Sequence, residues 1–316
     1  MSERMRVMVT GASGFIGRNV LLRAPRTWRI TAVYHRQPID GFVGQHKLDF
    51  VTPVACDLTN PPAVDRLVAS TGSVDAVLYL AANGDPAASA SRPAWDLQLN
   101  TSAPLTLLER LRGGRFVYVS SGAVYDGLVG DVTPSTPVSP RLPYAISKLA
   151  TEQYVRHFAD ERRTIDGYAN VRFFGAYGPY EAARKITTRW LRAVLEGQRV
   201  FTIRGNGENL IDFMYVDDAA DALLRLTSAS DFSGTVDLAC GTPVTINAIV
   251  ESMARACGAD VRVAREGHTA EYIRFRSADR TMRERFGFTP SVPFEEGIRR
   301  FRDFFLREQR GAGQSA

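Results

Sequence analysis

Met5-Arg6-Val7-Met8-Val9-Thr10 runs straight into Gly11-Ala12-Ser13-Gly14-Phe15-Ile16-Gly17, and this junction decides the fold. The first six residues are a short apolar run of strand length, and Arg18 to Arg23 beyond the glycines reads as helical. Strand, glycine turn and helix in that order build a phosphate site. The glycines let backbone approach a pyrophosphate, and the amino end of the helix supplies N–H groups and positive dipole. The spacing is GxxGxxG, not the GxGxxG of the commonest dinucleotide fold. Gly11, Ser13, Gly14, Phe15, Ile16 and Gly17 are the expected dinucleotide contacts.

Working outward, Arg29 to Tyr34 is a second strand and ends in His35-Arg36. An NAD site offers an acid to the ribose at this end, whereas an arginine accommodates the 2′-phosphate of NADP. The acid is missing, so His35 and Arg36 point to NADP(H) over NAD(H). A third strand, Val54 to Cys56, ends at Asp57-Leu58. A helix over Pro62 to Ser70 leads to a fourth strand, Ala76 to Leu80, which ends in Ala81-Ala82-Asn83. Pro93 to Leu111 reads as one long helix carrying Asn100, and Arg115 to Ser120 is the next strand. This alternation predicts an α/β, Rossmann-type, doubly wound parallel sheet.

After the strand Ala169 to Phe174 the pattern changes. A helix over Ile186 to Glu196 and a strand over Val200 to Ile203 precede Asp217-Asp218, which are expected to cap a helix reaching Thr227. Phe294 to Gln309 carries the apolar stripe Ile298, Phe301, Phe304 and Phe305 of a packing helix. No repeat or low-complexity linker separates the halves. The expected division is a dinucleotide-binding domain over 1–172 and 211–241, interleaved with a smaller substrate-binding domain over 173–210 and 242–310.

The chemistry centres on Tyr144-Ala145-Ile146-Ser147-Lys148. Tyr144 and Lys148 are one helical turn apart and leave the same face. An ammonium beside a phenol favours the phenolate, so the pair predicts a Tyr pKa lowered towards working pH and a general acid/base for a carbonyl/alcohol couple. Lysine is scarce: Lys47, Lys148 and Lys185 are the only ones among 39 basic residues. Ser121 lies at the carboxyl end of a strand, where such sheets bind ligands.

Composition removes several classes. A content of 45% hydrophobic and 23% charged residues is that of a globular enzyme. The net charge of +5 comes without a long basic run interleaved with aromatics, so no nucleic-acid partner is expected. Cys56, Cys240 and Cys257 form no CxxC pattern, and no metal or disulfide framework is expected. The first strand begins almost at the first residue and no apolar run approaches spanning length; a cytoplasmic protein with no membrane partner is the expectation.

Taken together, GASGFIG (11–17), Asp57-Leu58, Leu80-Ala81-Ala82, Asn100, VSSGAVYD (119–126), YAISK (144–148), RFFGAYGP (172–179) and DFMYVDDAA (212–220) resemble the extended short-chain dehydrogenase/reductase superfamily, in its nucleotide-sugar epimerase/dehydratase/reductase branch. The resemblance implies Tyr144 as acid/base, Lys148 on the nicotinamide ribose, and Ser121 on the reacting oxygen. It also implies Asp57 and Leu58 at the adenine, Ala81, Ala82 and Asn100 along the cofactor, and a homodimer built on the helices near 93–111 and 144–158.

The departures from the family pattern narrow the chemistry. Dehydratases carry acids directly after the Ser/Thr, and relatives that epimerise next to a ketone before reducing it carry a Cys there; this chain has Gly122 and Ala123. What remains is ketone reduction or C4 epimerisation. Arg36, and Gly175 in place of the Asn usual in epimerases, favour NADPH-dependent reduction of a nucleotide-diphosphate 4-keto-6-deoxy sugar, similar to the abequose and paratose synthase type. An NAD-dependent C4 epimerase is the alternative, and a catalytically silent dinucleotide sensor the alternative of another class. Ile211 replaces the Arg that commonly grips the diphosphate. Arg265 matches a second family position for that task, with Arg204, Arg274 and Arg276 as further candidates.

Overall fold

A computed structural model describes residues 4–268 and 273–313. Seven strands form one parallel sheet: β1 (Arg6–Thr10), β2 (Arg29–Tyr34), β3 (Val51–Ala55), β4 (Ala76–Tyr79), β5 (Arg115–Ser121), β6 (Gly167–Phe173) and β7 (Gly234–Leu238). Their order is β7-β6-β5-β4-β1-β2-β3, with Met8 opposite Thr31 on one side and Val77 on the other. The order reverses between β1 and β4, and that crevice is where a doubly wound sheet takes its ligand.

The strands are apolar on both faces because both faces are covered. Val7 and Val9 pack with Val20, Leu21, Ala219 and Leu223 on one side. Met8, one residue out of phase, packs with Val64, Leu67, Phe116 and Phe158 on the other. A third core joins the helices Ile186–Leu195, Ile246–Cys257 and Phe294–Gly313 through Trp190, Leu191, Ile249, Met253, Ile298 and Phe301. The stripe on the last helix is packing surface, as its spacing predicts.

Three local expectations need correction. The third strand starts at Val51, not Val54; Pro53 hides its first half and is tolerated because β3 is an edge strand. The span 93–111 is not one α-helix but Pro93–Leu97, a π-helical turn Gln98–Ser102, and Ala103–Leu108. The widened turn frees the Asn100 carbonyl to accept from Thr151 Oγ1 at 2.7 Å. Asp217 and Asp218 sit inside the first turn of the helix Val216–Ser228, whose N-cap is Tyr215. Asp218 accepts from the Ser291 and Val292 amides at 3.0 and 2.9 Å, tying down a distant loop.

Two short parallel ladders lie outside the main sheet. Val129–Val132 pairs with Arg274–Ser277, and Val200–Arg204 pairs with Arg262–Glu266. Among the described residues no helix is long and apolar enough to cross a membrane.

Candidate active site

At the reversal point the turn after β1 meets the end of β4. Gly11 has φ +66°, and a Cβ there would lie 2.8 Å from the Ala81 amide nitrogen. A Cβ on Gly17 would come within 2.4 Å of the Gly11 carbonyl. These two glycines therefore let the turn, the first helix and β4 close together. Gly14 is the extended N-cap of helix α1 (Phe15–Arg23), with no side-chain cap and no acid in the first turn. The amino end of α1 is thus left to an anion, and Ser13 sits beside it in the turn. Thr10 Oγ1 accepts from the Leu80 and Ala81 amides at 3.1 and 3.2 Å, fixing the opposite wall.

From this turn a cleft of about 1090 Å³ opens, lined by Phe15, Ile16, Leu80, Ala82, Ser121, Tyr144 and Lys148. Strand β5 ends at Ser121, whose Oγ accepts from the Ala123 amide at 3.2 Å as a short 3₁₀ turn begins. The helix Pro143–Asp160 starts with Pro143 in its first turn, and the Tyr144 amide is satisfied by Ser89 Oγ at 3.1 Å. Strand end and helix start therefore converge, and the Tyr144 hydroxyl shares a hydrogen bond with Ser121.

The lowered phenol expected from the Tyr/Lys spacing is not what the site produces. Burial raises the Tyr144 pKa, the Ser121 hydrogen bond opposes this, and the charge of Asp96 adds to the rise. Lys148 Nζ lies 6.0 Å from the Tyr144 ring centroid and donates to the Val119 carbonyl at 2.9 Å. Desolvation is the largest influence on the phenol, and the Lys148 ammonium donates to the Val119 carbonyl rather than to the phenol oxygen. Burial also pushes Lys148 down to about 8, with Asp96 and Glu152 opposing.

At the other end, His35 and Arg36 are exposed, and His35 Nε2 lies 3.7 Å from Asp57 Oδ2. Asp57, at the end of β3, thus faces the residues that follow β2. Burial would raise the Asp57 carboxyl, but hydrogen bonds from Thr59 and the nearby His35 and Arg36 outweigh it and hold it low. Leu58 is buried beside it. Arg36 itself has no carboxylate within ion-pair distance among the described residues.

Two residues expected at the ligands are engaged by other side chains. Asn100 is buried behind the cleft wall, its Oδ1 accepting from the Asn83 amide at 2.8 Å and its Nδ2 donating to Asp96 at 2.9 Å. It holds the Asn83 end of the wall and does not line the cleft. Arg265 bonds the Asn206 carbonyl and, at 3.3 Å, Asn247 Oδ1, and is not among the lining residues. Ile211 does line the cleft; so do Arg184, Lys185, Arg274 and Arg276, of which Arg184 is paired with Asp85 at 3.5 Å and Arg276 with Asp131 at 2.5 Å.

The sequence reading missed Asp96, Ser147, Thr151 and Glu152. A signal was present: Tyr144, Ser147, Lys148, Thr151 and Glu152 recur at the spacing of a helix's core face, yet all are polar. Ser147, Lys148, Thr151 and Glu152 are buried, and a buried polar stripe demands partners on the facing elements. Gly122 shows why no acid follows Ser121: a Cβ there would meet the Phe174 ring at 3.0 Å.

The model of a family described as NAD dependent epimerase/dehydratase matches residues 7–238. A dTDP-glucose 4,6-dehydratase from Mycobacterium tuberculosis is 32% identical over 236 residues, 70% of this chain and 68% of that protein. A GDP-6-deoxy-D-mannose reductase from Pseudomonas aeruginosa is 26% identical over 317 residues, 93% of this chain and 95% of that protein. Among solved structures, MoeE5 in complex with UDP-glucose and NAD is similar with a TM-score of 0.84 at 27% identity, over 96% of this chain and 99% of that one.

Proposed function

Because the chain belongs to the NAD-dependent epimerase/dehydratase family, we propose that it reduces the keto group of a nucleotide-diphosphate 4-keto-6-deoxy sugar with NADPH. The observation that carries this reading is the closed position beside Ser121. Phe174 fills the space an eliminating acid would need at Gly122, while Ser121, Tyr144 and Lys148 line the cleft beside it. That set suits a carbonyl/alcohol exchange and lacks the extra acid and base that loss of water requires.

The turn fits a dinucleotide: the uncapped amino end of α1 and the close approach at Gly11 and Gly17 leave room and N–H groups for a diphosphate. When bound, the cofactor supplies hydride to the carbonyl carbon. Ser121 donates to the carbonyl oxygen and holds it beside the Tyr144 hydroxyl. Tyr144, kept protonated by burial, gives its proton to that oxygen as negative charge develops. Lys148, fixed on the Val119 carbonyl, presents its remaining N–H donors to the nicotinamide ribose. His35 and the unpaired Arg36 take the 2′-phosphate, with Asp57 and Leu58 at the adenine and Ala81 and Ala82 along the wall. Arg274 and Lys185, cations lining the cleft without a carboxylate partner among the described residues, hold the substrate diphosphate in place of Arg265, which is engaged with Asn206 and Asn247. The molecule acts as a homodimer in the cytoplasm.

The second reading, an NAD-dependent C4 epimerase, is favoured by the NAD and UDP-glucose named for MoeE5. Denaturing the purified protein, identifying any released nucleotide, and titrating the emptied protein with NADPH and NADH separates the two. A clear preference for NADPH, followed by NADPH consumption with a 4-keto-6-deoxy sugar nucleotide, supports the reductase. Copurified NAD near one per chain supports the epimerase, and binding of neither cofactor supports a silent fold.

A further inference from the structure

Asp96 is fully buried, yet its carboxylate is satisfied on both oxygens: Asn83 Nδ2 and Asn100 Nδ2 donate to Oδ1 at 2.7 and 2.9 Å, and Ser147 Oγ donates to Oδ2 at 2.7 Å. The donors come from three elements: the loop after β4, the π-helical turn, and the Tyr144 helix. Nothing in the mechanism uses this group, and three donors satisfy both oxygens without neutralising the charge.

The field of Asp96 reaches Lys148. Lys148 is faced by Asp96 and by Glu152, with the rings of Tyr118 and Tyr144 at 5.0 and 6.0 Å. Glu152 is already matched, since Arg172 Nη2 lies 2.9 Å from Oε2 and Nε reaches both carboxylate oxygens. Asp96 has no cation within ion-pair distance among the described residues. Asp96 holds Ser147, the residue next to Lys148 on the same helix, and its unmatched charge acts on the Lys148 ammonium, which is 3% exposed. In a site poor in water such a field is weakly screened.

We infer that Asp96 is a positioning residue that locks Asn83, Asn100 and Ser147 into one unit behind Tyr144 and serves as the counter-charge that keeps the buried Lys148 an ammonium. Through the same field it keeps Tyr144 a phenol, so one carboxylate sets both groups in the form that ketone reduction needs. The kinetic half of this inference rests on the reductase reading; the electrostatic half does not.

The test is the titration of Lys148 itself. With only Lys47, Lys148 and Lys185 in the chain, carbon-13 lysine labelling resolves each ε-carbon by NMR in the intact protein. In Asp96→Asn, which keeps the shape and removes the charge, Lys148 should lose its proton about one pH unit lower than in the wild type. Ser147→Ala, which removes one hydrogen bond and no charge, should leave that titration in place. The alkaline limb of kcat/KM for ketone reduction should move down with Asp96→Asn, because neutral Lys148 and ionised Tyr144 are both favoured when the negative charge goes. A Lys148 titration unmoved by Asp96→Asn overturns the inference, and a uniform fall in kcat at every pH would mean a purely structural role. Should Asp96→Asn fail to fold, the Asp96 carboxyl carbon of the wild type is followed instead. It should show an inflection at the pH where Lys148 loses its proton, and its absence overturns the inference. A normal Lys148 response in a protein that reduces no keto sugar rejects the reductase reading alone.

Discussion

Tyr144 shows how burial competes with charge at a single residue. Its helical spacing to Lys148 argues for a lowered phenol, whereas desolvation in the folded chain raises it. Tyr144→Phe removes the proton donor with little change in shape. In stopped-flow or steady-state assays it should lower kcat by about 10²–10⁴-fold, while fluorescence titration shows cofactor affinity retained. Asp237 is a second buried acid, taking hydrogen bonds from Tyr125 at 2.8 Å and Ser277 at 2.7 Å. Burial pushes it up to about 7, with the neighbouring Asp279 also raising it and hydrogen bonds opposing. A carboxyl raised in the fold favours folding only while protonated. Its contribution is full below its unfolded pKa near 4 and is lost as pH rises through about 7. The lost amount is roughly 4 kcal/mol at most. Asp237→Asn should therefore gain thermal stability relative to the wild type as pH climbs from 4 to 7; a constant difference in Tm across that range would contradict this.

At the scale of elements, the glycine turn is fixed by contacts as much as by conformation. Gly11 needs its positive φ, whereas Gly17 needs its missing Cβ, because α1 passes directly over the Gly11 carbonyl. Gly17→Ala forces backbone to move, so it should destabilise by about 1–3 kcal/mol and weaken NADPH binding together, as calorimetry would show. The span 93–111 carries the opposite lesson. Its pattern reads as a plain helix, yet a π-helical turn places Asn100 so that its carbonyl serves Thr151 and its side chain serves Asn83 and Asp96. Pro104 is the local mark of that turn, since it has no N–H to give the Asn100 carbonyl four residues back, and Thr151 takes that carbonyl instead.

For the whole molecule, the cleft draws on segments from Phe15 to Arg276 and so exists only once the chain has closed on itself. Its outer side leaves Leu97, Ile146 and Tyr154 exposed at 49%, 47% and 45%, on the helices Pro93–Leu97 and Pro143–Asp160. This surface fits the proposed homodimer. Light scattering should give twice the chain mass, and Leu97→Arg with Tyr154→Arg should give a monomer with unchanged circular dichroism. A wild-type monomer would reject the dimer.

The parallel sheet, the glycine turn and the convergence of Ser121, Tyr144 and Lys148 were legible in the sequence. These rest on short-range regularities: the period of a strand, the turn of a helix, and the backbone freedom of glycine at one junction. Tertiary structure alone decided the protonation of Tyr144, the setting of Asp96, the pairing of His35 with Asp57, and the engagement of Arg265 with Asn206 and Asn247. Each of these depends on desolvation or on a partner far away in the chain. Charge and hydrogen bonding act through space, and spacing along a sequence records them only where one helix or strand carries both partners.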